Sequence, residues 1–371
     1  MNDLRDAAQG ALSASGDTSN VPADLAAAVA LGGEMGRRIS EFDWEGHPLR
    51  RMDQWPAGMR STVAEMLASR FPIVLWFGRD LFLIYNDAYL SILGEKHPAA
   101  LGAPGREVWW ELWDVIGPML AGVMETGAAT WSDDQRLLLM RHGFREEGYF
   151  TFTYSPMFDE TGAVSGVFCA VHETTGKVLA GRRLETLNAL GSRLVECHDP
   201  AGVVDVALAV CETNRDDLPF VGVYMADGET LLRGCTSGMH ALFAEQAPSL
   251  QWWLAGGGAP TETLVIGGCR ARLCELGARL GESAPERALV IPLVDGAGGE
   301  PFGWMVAGVN PLLSLDLAYR SFFELIAGQM GRAFGSARLY QLERSGWTHW
   351  SSWIVPRAGS SRTSAMSSAR R

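Results

Sequence analysis

Apolar residues recur along this chain with two periods, and the changes between them mark its elements. The runs at 71–77 and 81–85 flank Gly78-Arg79-Asp80 and predict two strands joined by a tight hairpin. Ahead of them, Met59, Val63, Met66 and Leu67 follow Trp55-Pro56 at helical spacing. Asn86-Asp87 stops the second strand before a short helix that ends at Gly94. Residues 108–127 read as helical, interrupted at Gly117-Pro118. Tyr149 to Tyr154 alternate in polarity and, with the turn Asp159-Glu160-Thr161-Gly162, predict the clearest hairpin in the chain. With the stretch around Trp131 this makes three more strands.

Beyond them, Leu179, Leu184, Leu187, Leu190 and Leu194 give a helix one apolar face until Asp199-Pro200 breaks it. A second helix reaches about Asn214. Further strands begin at Leu218, and two apolar strands meet at a Gly-rich turn over 295–299 before a long closing helix. The pattern divides the chain into an unstructured segment 1–40 apart from a short helix at 22–38, a first domain at 41–176 with a helical cap, linker helices at 177–214, a second domain at 215–343 and an unstructured tail at 344–371. The fold class is α+β, with two antiparallel sheets joined by a helix.

Composition narrows the function. Of 371 residues, 47% are hydrophobic and 20% charged, as in a globular protein with a sizeable core. A net charge of −12 disfavours nucleic acid, whose phosphates it would repel. No run of 18 apolar residues predicts a membrane span, and the N-terminus lacks the basic and apolar regions of a secretory signal. Six cysteines without framework spacing fit a reducing compartment. The expectation is a cytoplasmic protein with no membrane and no nucleic-acid partner.

The segments IYNDAYLSILGEKHP, WDVIGPML, FTYSPMFDETGAVSGVF and AVHETT, in that order over about 70–176, resemble a PAS domain. The pairing of ALVIPL with PFGWMVAGVNP, followed by YRSFFELIAGQMGRAF, resembles a GAF domain over about 183–343. Together they resemble the sensory region of a soluble bacterial sensor histidine kinase. The resemblance implies a non-catalytic module of a two-component system that senses a small molecule or redox cue and relays it through a helical homodimer. Other outputs in keeping with it are a phosphatase or a cyclase.

In that family the closing helix continues to a phosphoacceptor His, whereas here it is expected to stop at Ser345-Gly346. Residues 344–371 hold five Arg, eight Ser and no acid. Trp and Met have single codons, so a shifted frame over 349–371, with permitted synonyms, can spell LVELDRAKSRFFANVSHEFRTP. That string resembles the phosphoacceptor segment of a histidine kinase, and the expectation is a sensor truncated by a frameshift.

Candidate pocket residues in the first domain are Trp76, Tyr85, Asn86, Tyr89, Trp109, Trp113, Trp131 and Tyr154. Aromatic faces stack on planar ligands, although they more often fill cores; capping accounts for Asn86 and Asp87 without a ligand. No cofactor can be named. The Asn-Cys-Arg motif of flavin-adduct PAS domains does not occur, Cys169 belongs to a predicted buried strand, and His97, His142 and His172 are haem ligands by residue type only. No metal pattern is visible, since Cys269 and Cys274 lack a second pair. The enzymatic alternative rests on Cys235, Cys269 and Cys274, since some GAF-fold enzymes reduce free methionine sulfoxide with cysteines there; it requires an exposed low-pKa thiolate.

Overall fold

In the computed structural model, residues 21–227, 229–236, 248–275, 284–295 and 299–354 are described, and they separate into two compact units. The first unit opens with helices α1 (Ala23–Leu31) and α2 (Gly33–Glu41) and continues through α3 (Ala57–Ala68). Strands β1 (Ile73–Phe77) and β2 (Phe82–Tyr85) follow, then the short helices α4 (Leu90–Leu93) and α5 (Gly105–Val108) and the longer α6 (Trp113–Thr126). Strands β3 (Thr130–Met140), β4 (Arg145–Phe158) and β5 (Val164–Glu173) complete an antiparallel sheet in the order β2-β1-β5-β4-β3. The chain leaves β5 directly into α7 (Thr175–Leu194).

Both predicted hairpins form. Phe77 pairs with Phe82 across Gly78, whose φ of +73° suits a residue without a Cβ. At the β4–β5 turn, one Asp159 carboxylate oxygen accepts from the Thr161 hydroxyl and the amides of Thr161 and Ala163. Helix α6 runs through Pro118 and ends at Gly127, which is left-handed. The expected interruption at Gly117-Pro118 is therefore absent. Pro118 lies early in the helix and forgoes one bond to the turn before it.

The N-terminal boundary also moves. Residues 23–41, assigned by composition to the unstructured segment save for one short helix, form two helices that bury Leu25, Val29, Met35 and Ile39 in the core. Residues 1–20 lie outside the described residues. The decisive contact comes from afar: Asp87 Oδ1 accepts from Met35 N at 2.7 Å and Oδ2 from Glu34 N at 3.0 Å. Asp87 thus caps a helix, but α2 rather than the turn it opens. Asn86 also binds at a distance, donating from Nδ2 to the carbonyls of Met66, Ser69 and Phe71 and accepting from Ile73 N. It fastens the end of α3 to β1.

The second unit places α8 (Pro200–Cys211) before β6 (Val221–Asp227) and β7 (Glu229–Cys235). After α9 (Leu250–Trp253), β8 (Leu264–Ile266) and α10 (Cys269–Glu275) come β9 (Ala288–Leu293), β10 (Gly303–Gly308) and the closing helix α11 (Leu317–Ile354). Its sheet, in the order β7-β6-β10-β9-β8, repeats the connectivity of the first. Asp199 begins α8 by accepting from Gly202 N at 2.8 Å ahead of Pro200. Phe220, Tyr224, Trp253, Val290, Trp304 and Val306 form a cluster with residues of α9 and α10, while α8 and α11 pack together and against the sheet.

Helix α11 continues to Ile354, eight residues past the stop expected at Ser345-Gly346. A glycine such as Gly346 costs a helix about 1 kcal/mol relative to Ala but does not end it; Val355-Pro356 is the stronger stop signal. Residues 355–371, the remainder of the expected unstructured tail, lie outside the described residues. No helix among the described residues is long and apolar enough to cross a membrane.

Candidate functional site: a cavity under the first sheet

The alternation that builds β4 turns Phe150, Phe152 and Tyr154 inward and Thr151 and Thr153 outward. Beside them, Leu137 and Leu139 of β3, Cys169 and Val171 of β5 and Trp76 of β1 complete one wall of a cavity. Tyr89, Ile92, Trp109, Leu112 and Ile116, from the helical segments, complete the other. The cavity has a volume of about 40 Å³. That accommodates a compact guest, whereas a drug-sized ligand fills roughly 300–1,000 Å³; a haem or flavin does not fit the space as it stands.

The lining is aromatic and uncharged. Trp76 meets Tyr154 edge-on at 6.4 Å, and Phe152 lies 5.1 Å from Tyr154. Trp76 keeps its place because position 105 is glycine: a Cβ there would come within 2.5 Å of the indole. Burial pushes the hydroxyls of Tyr89 and Tyr154 and the Cys169 thiol well above their ordinary pKa values, so all three stay protonated. The indole N–H groups of Trp76 and Trp109 are buried and lack an acceptor at hydrogen-bonding geometry. The Trp109 N–H lies near enough to the Tyr89 hydroxyl to lower that tyrosine's pKa as a donor, though not at full hydrogen-bonding geometry. On its own side Trp109 carries Lys96 Nζ 4.4 Å above the ring. Burial holds the Lys96 ammonium below its usual pKa, although Glu111 opposes this.

Of the residues singled out by sequence, Trp76, Tyr89, Trp109 and Tyr154 line the cavity, and four do not. Tyr85 is buried beside His97, its hydroxyl 3.0 Å from Nδ1. Asn86 is the fastener described above. Trp113 is half-buried against the core, and Trp131 is 69% exposed on β3. Aromatic type reveals nothing of facing, and Trp131 has the outward phase. Phe150, Phe152 and the aliphatic lining were missed, though the phase of Tyr154 in its alternating run signals both phenylalanines. The histidines are engaged elsewhere: His97 Nε2 lies 3.1 Å from Glu34, His142 pairs with Glu146, and His172 is exposed beside Phe71.

A polar clamp borders the cavity walls. Arg141, just beyond β3, donates to Glu173 at 2.7 and 2.8 Å and to Glu146 at 2.9 Å, and reaches the carbonyl of Ser91 beside Ile92. Glu173 in turn accepts from the Thr175 hydroxyl, the first residue of α7. Burial raises the carboxyl pKa values of Glu146 and Glu173, but the Arg141 guanidinium outweighs it and holds both below the ordinary value. Two turns further along α7, Arg182 pairs with the buried Glu147.

Residues 68–179 match the family model described as PAS fold. This segment has a PAS fold. Among solved structures, the PAS domain of a Colwellia psychrerythraea protein is similar at 16% identity, covering 32% of this chain and 98% of its own, with a TM-score of 0.26. A sensory box sensor histidine kinase from Vibrio cholerae aligns at 15% identity over 31% of this chain and 89% of its own, with a TM-score of 0.23. The GAF domain of an Acinetobacter phosphoenolpyruvate-protein phosphotransferase aligns at 18% identity over 42% of this chain and 94% of its own, with a TM-score of 0.32. No curated protein matches the chain. The PAS-fold segment is followed by a second α+β unit with its own five-stranded antiparallel sheet.

In that second unit Cys269 is buried, donates to Ile266 O, and has its thiol pushed up to about 11 by burial. Burial raises Cys235 as well, while Cys274 is exposed. Cys269 is thus the reverse of the low-pKa exposed thiolate that a reductase needs. Among the described residues no group of three or more His, Cys, Asp or Glu is arranged to hold a metal.

Proposed function

We propose that this chain is the sensory module of a two-component signalling protein, acting without catalysis of its own: a small molecule occupies the PAS cavity, and its presence changes the setting of α7. The observation that carries this reading is the adjacency of cavity and exit. Leu139 and Ile92 line the cavity, while Arg141, two residues after Leu139, bonds both the Ser91 carbonyl and Glu173 at the root of α7. A guest that displaces either wall moves a partner of Arg141. In this reading the module is cytoplasmic and works as a homodimer, and the exposed Leu184 of α7 supplies part of the pairing surface.

Filling the cavity tests the proposal. Ile92→Phe adds volume that mimics a bound guest, and hydrogen exchange is then read along residues 175–186. Exchange rates at these amides are expected to change several-fold while those in the second unit's sheet stay as they were. A variant that folds, alters exchange around Tyr154 and leaves α7 untouched would disconnect the cavity from the helix.

A further inference from the structure

The lining chemistry of the cavity restricts what it can hold. Trp76 and Trp109 can only donate, and leaving two such groups buried without an acceptor is costly. Trp76 has no acceptor at hydrogen-bonding geometry, and Trp109 has only the neighbouring Tyr89 hydroxyl, short of that geometry, although both indoles are almost fully buried at 1% and 2% exposure. Tyr154 adds a hydroxyl fixed in its neutral form by burial. No side chain of the lining carries a charge, so an ionic guest would enter unpaired and lose its hydration without return. The space admits a few heavy atoms.

The geometry points to an uncharged guest of a few heavy atoms bearing a carbonyl-type oxygen, held by the indole N–H groups of Trp76 and Trp109 inside the aromatic wall. This inference rests on the reading of the cavity as a ligand site and adds the class of ligand. The aromatic and aliphatic walls hold the guest's carbon skeleton by contact, and the two donors select for an acceptor. The same donors reject a hydrocarbon of equal shape, because it leaves them unsatisfied.

Three near-isosteric probes separate the contributions: acetone is neutral with an acceptor, acetate is charged, and isobutene is neutral without an acceptor. Each is titrated into the full ¹⁵N-labelled chain, following the indole N–H signals, with those of Trp76 and Trp109 assigned by their loss in Trp76→Phe and Trp109→Phe. Acetone is expected to shift both signals and to bind about tenfold more tightly than either other probe, which corresponds to about 1.4 kcal/mol. Trp109→Phe keeps an aromatic wall and removes one donor, so it is expected to reduce the preference of acetone over isobutene. Isobutene binding as well as acetone would overturn the acceptor assignment while leaving the cavity a ligand site. Tighter binding of acetate would overturn the neutral class. If no probe moves any cavity signal, the ligand-site reading falls together with the inference.

Discussion

Arg141 shows how one side chain can hold two functions of a fold. Its guanidinium is 6% exposed and joins Glu146 and Glu173, so removing its charge leaves two carboxylates facing each other with reduced solvation. Arg141→Gln is expected to cost about 3 kcal/mol, in the range for breaking a buried pair, measured by urea denaturation of the first unit. The pH dependence has a definite sign. Both carboxyls titrate below their unfolded value in the folded chain, so their contribution is full above about pH 4.3 and is lost as the pH falls through the depressed values. The wild-type melting temperature should therefore fall across that acid window, and the variant, lacking this contribution, should fall less steeply. Gly105 makes a steric prediction. Gly105→Ala places a methyl 2.5 Å from the Trp76 ring and 3.1 Å from Leu81 O, which is expected to cost about 1–3 kcal/mol and to move the Trp76 indole signal. An unmoved signal would show that the ring has room to yield.

Elements were legible in the sequence where local signals sufficed, and elusive where distant contacts decide. The hairpins at Gly78 and Asp159 carry their turn chemistry and alternation within a few residues. The helices at 23–41 do not: α1 is rich in alanine, and α2 is capped by Asp87, some fifty residues away. Asp87→Ala should therefore loosen α2 rather than the turn at 87–89, at a cost of about 1 kcal/mol, with faster amide exchange at Glu34 and Met35. Half of the expected cavity residues were found because aromatic type narrows the choice. The rest required knowledge of which way a side chain faces, as the outward Trp131 and inward Phe150 show. On α7 the predicted stripe divides: Leu190 and Leu194 are buried, whereas Leu184 is 58% exposed. Leu184→Glu is expected to leave the melting temperature nearly unchanged and to shift the chain from dimer to monomer by light scattering, because an unpaired charge would have to be buried in the pairing surface. Unchanged mass would remove α7 from the dimer surface.

The molecule as a whole repeats one sheet connectivity with two unrelated cores. The first core draws its residues from Leu25 to Val171, and the cluster in the second unit draws from Phe220 to Val306. Among the described residues the strands fall into two separate five-stranded sheets. Cooperativity follows shared burial, so two cores without common strands are expected to unfold as two transitions. Trp253 gives a way to read them apart. It is 1% exposed, donates from its indole to the Tyr224 hydroxyl at 2.7 Å, and stacks on Phe220 at 5.5 Å. Trp253→Ala removes that burial and leaves the tyrosine hydroxyl without its donor, at a cost of about 3–5 kcal/mol. Calorimetry of the variant should show one transition moved down by many degrees and the other in place, with the indole signals of Trp76 and Trp109 surviving above the first. A single transition that moves as one would mean that α7, which leads from β5 of the PAS sheet into the second unit, binds the two cores into one cooperative body. A helix stiff enough for that would also carry a displacement at Glu173 along its length.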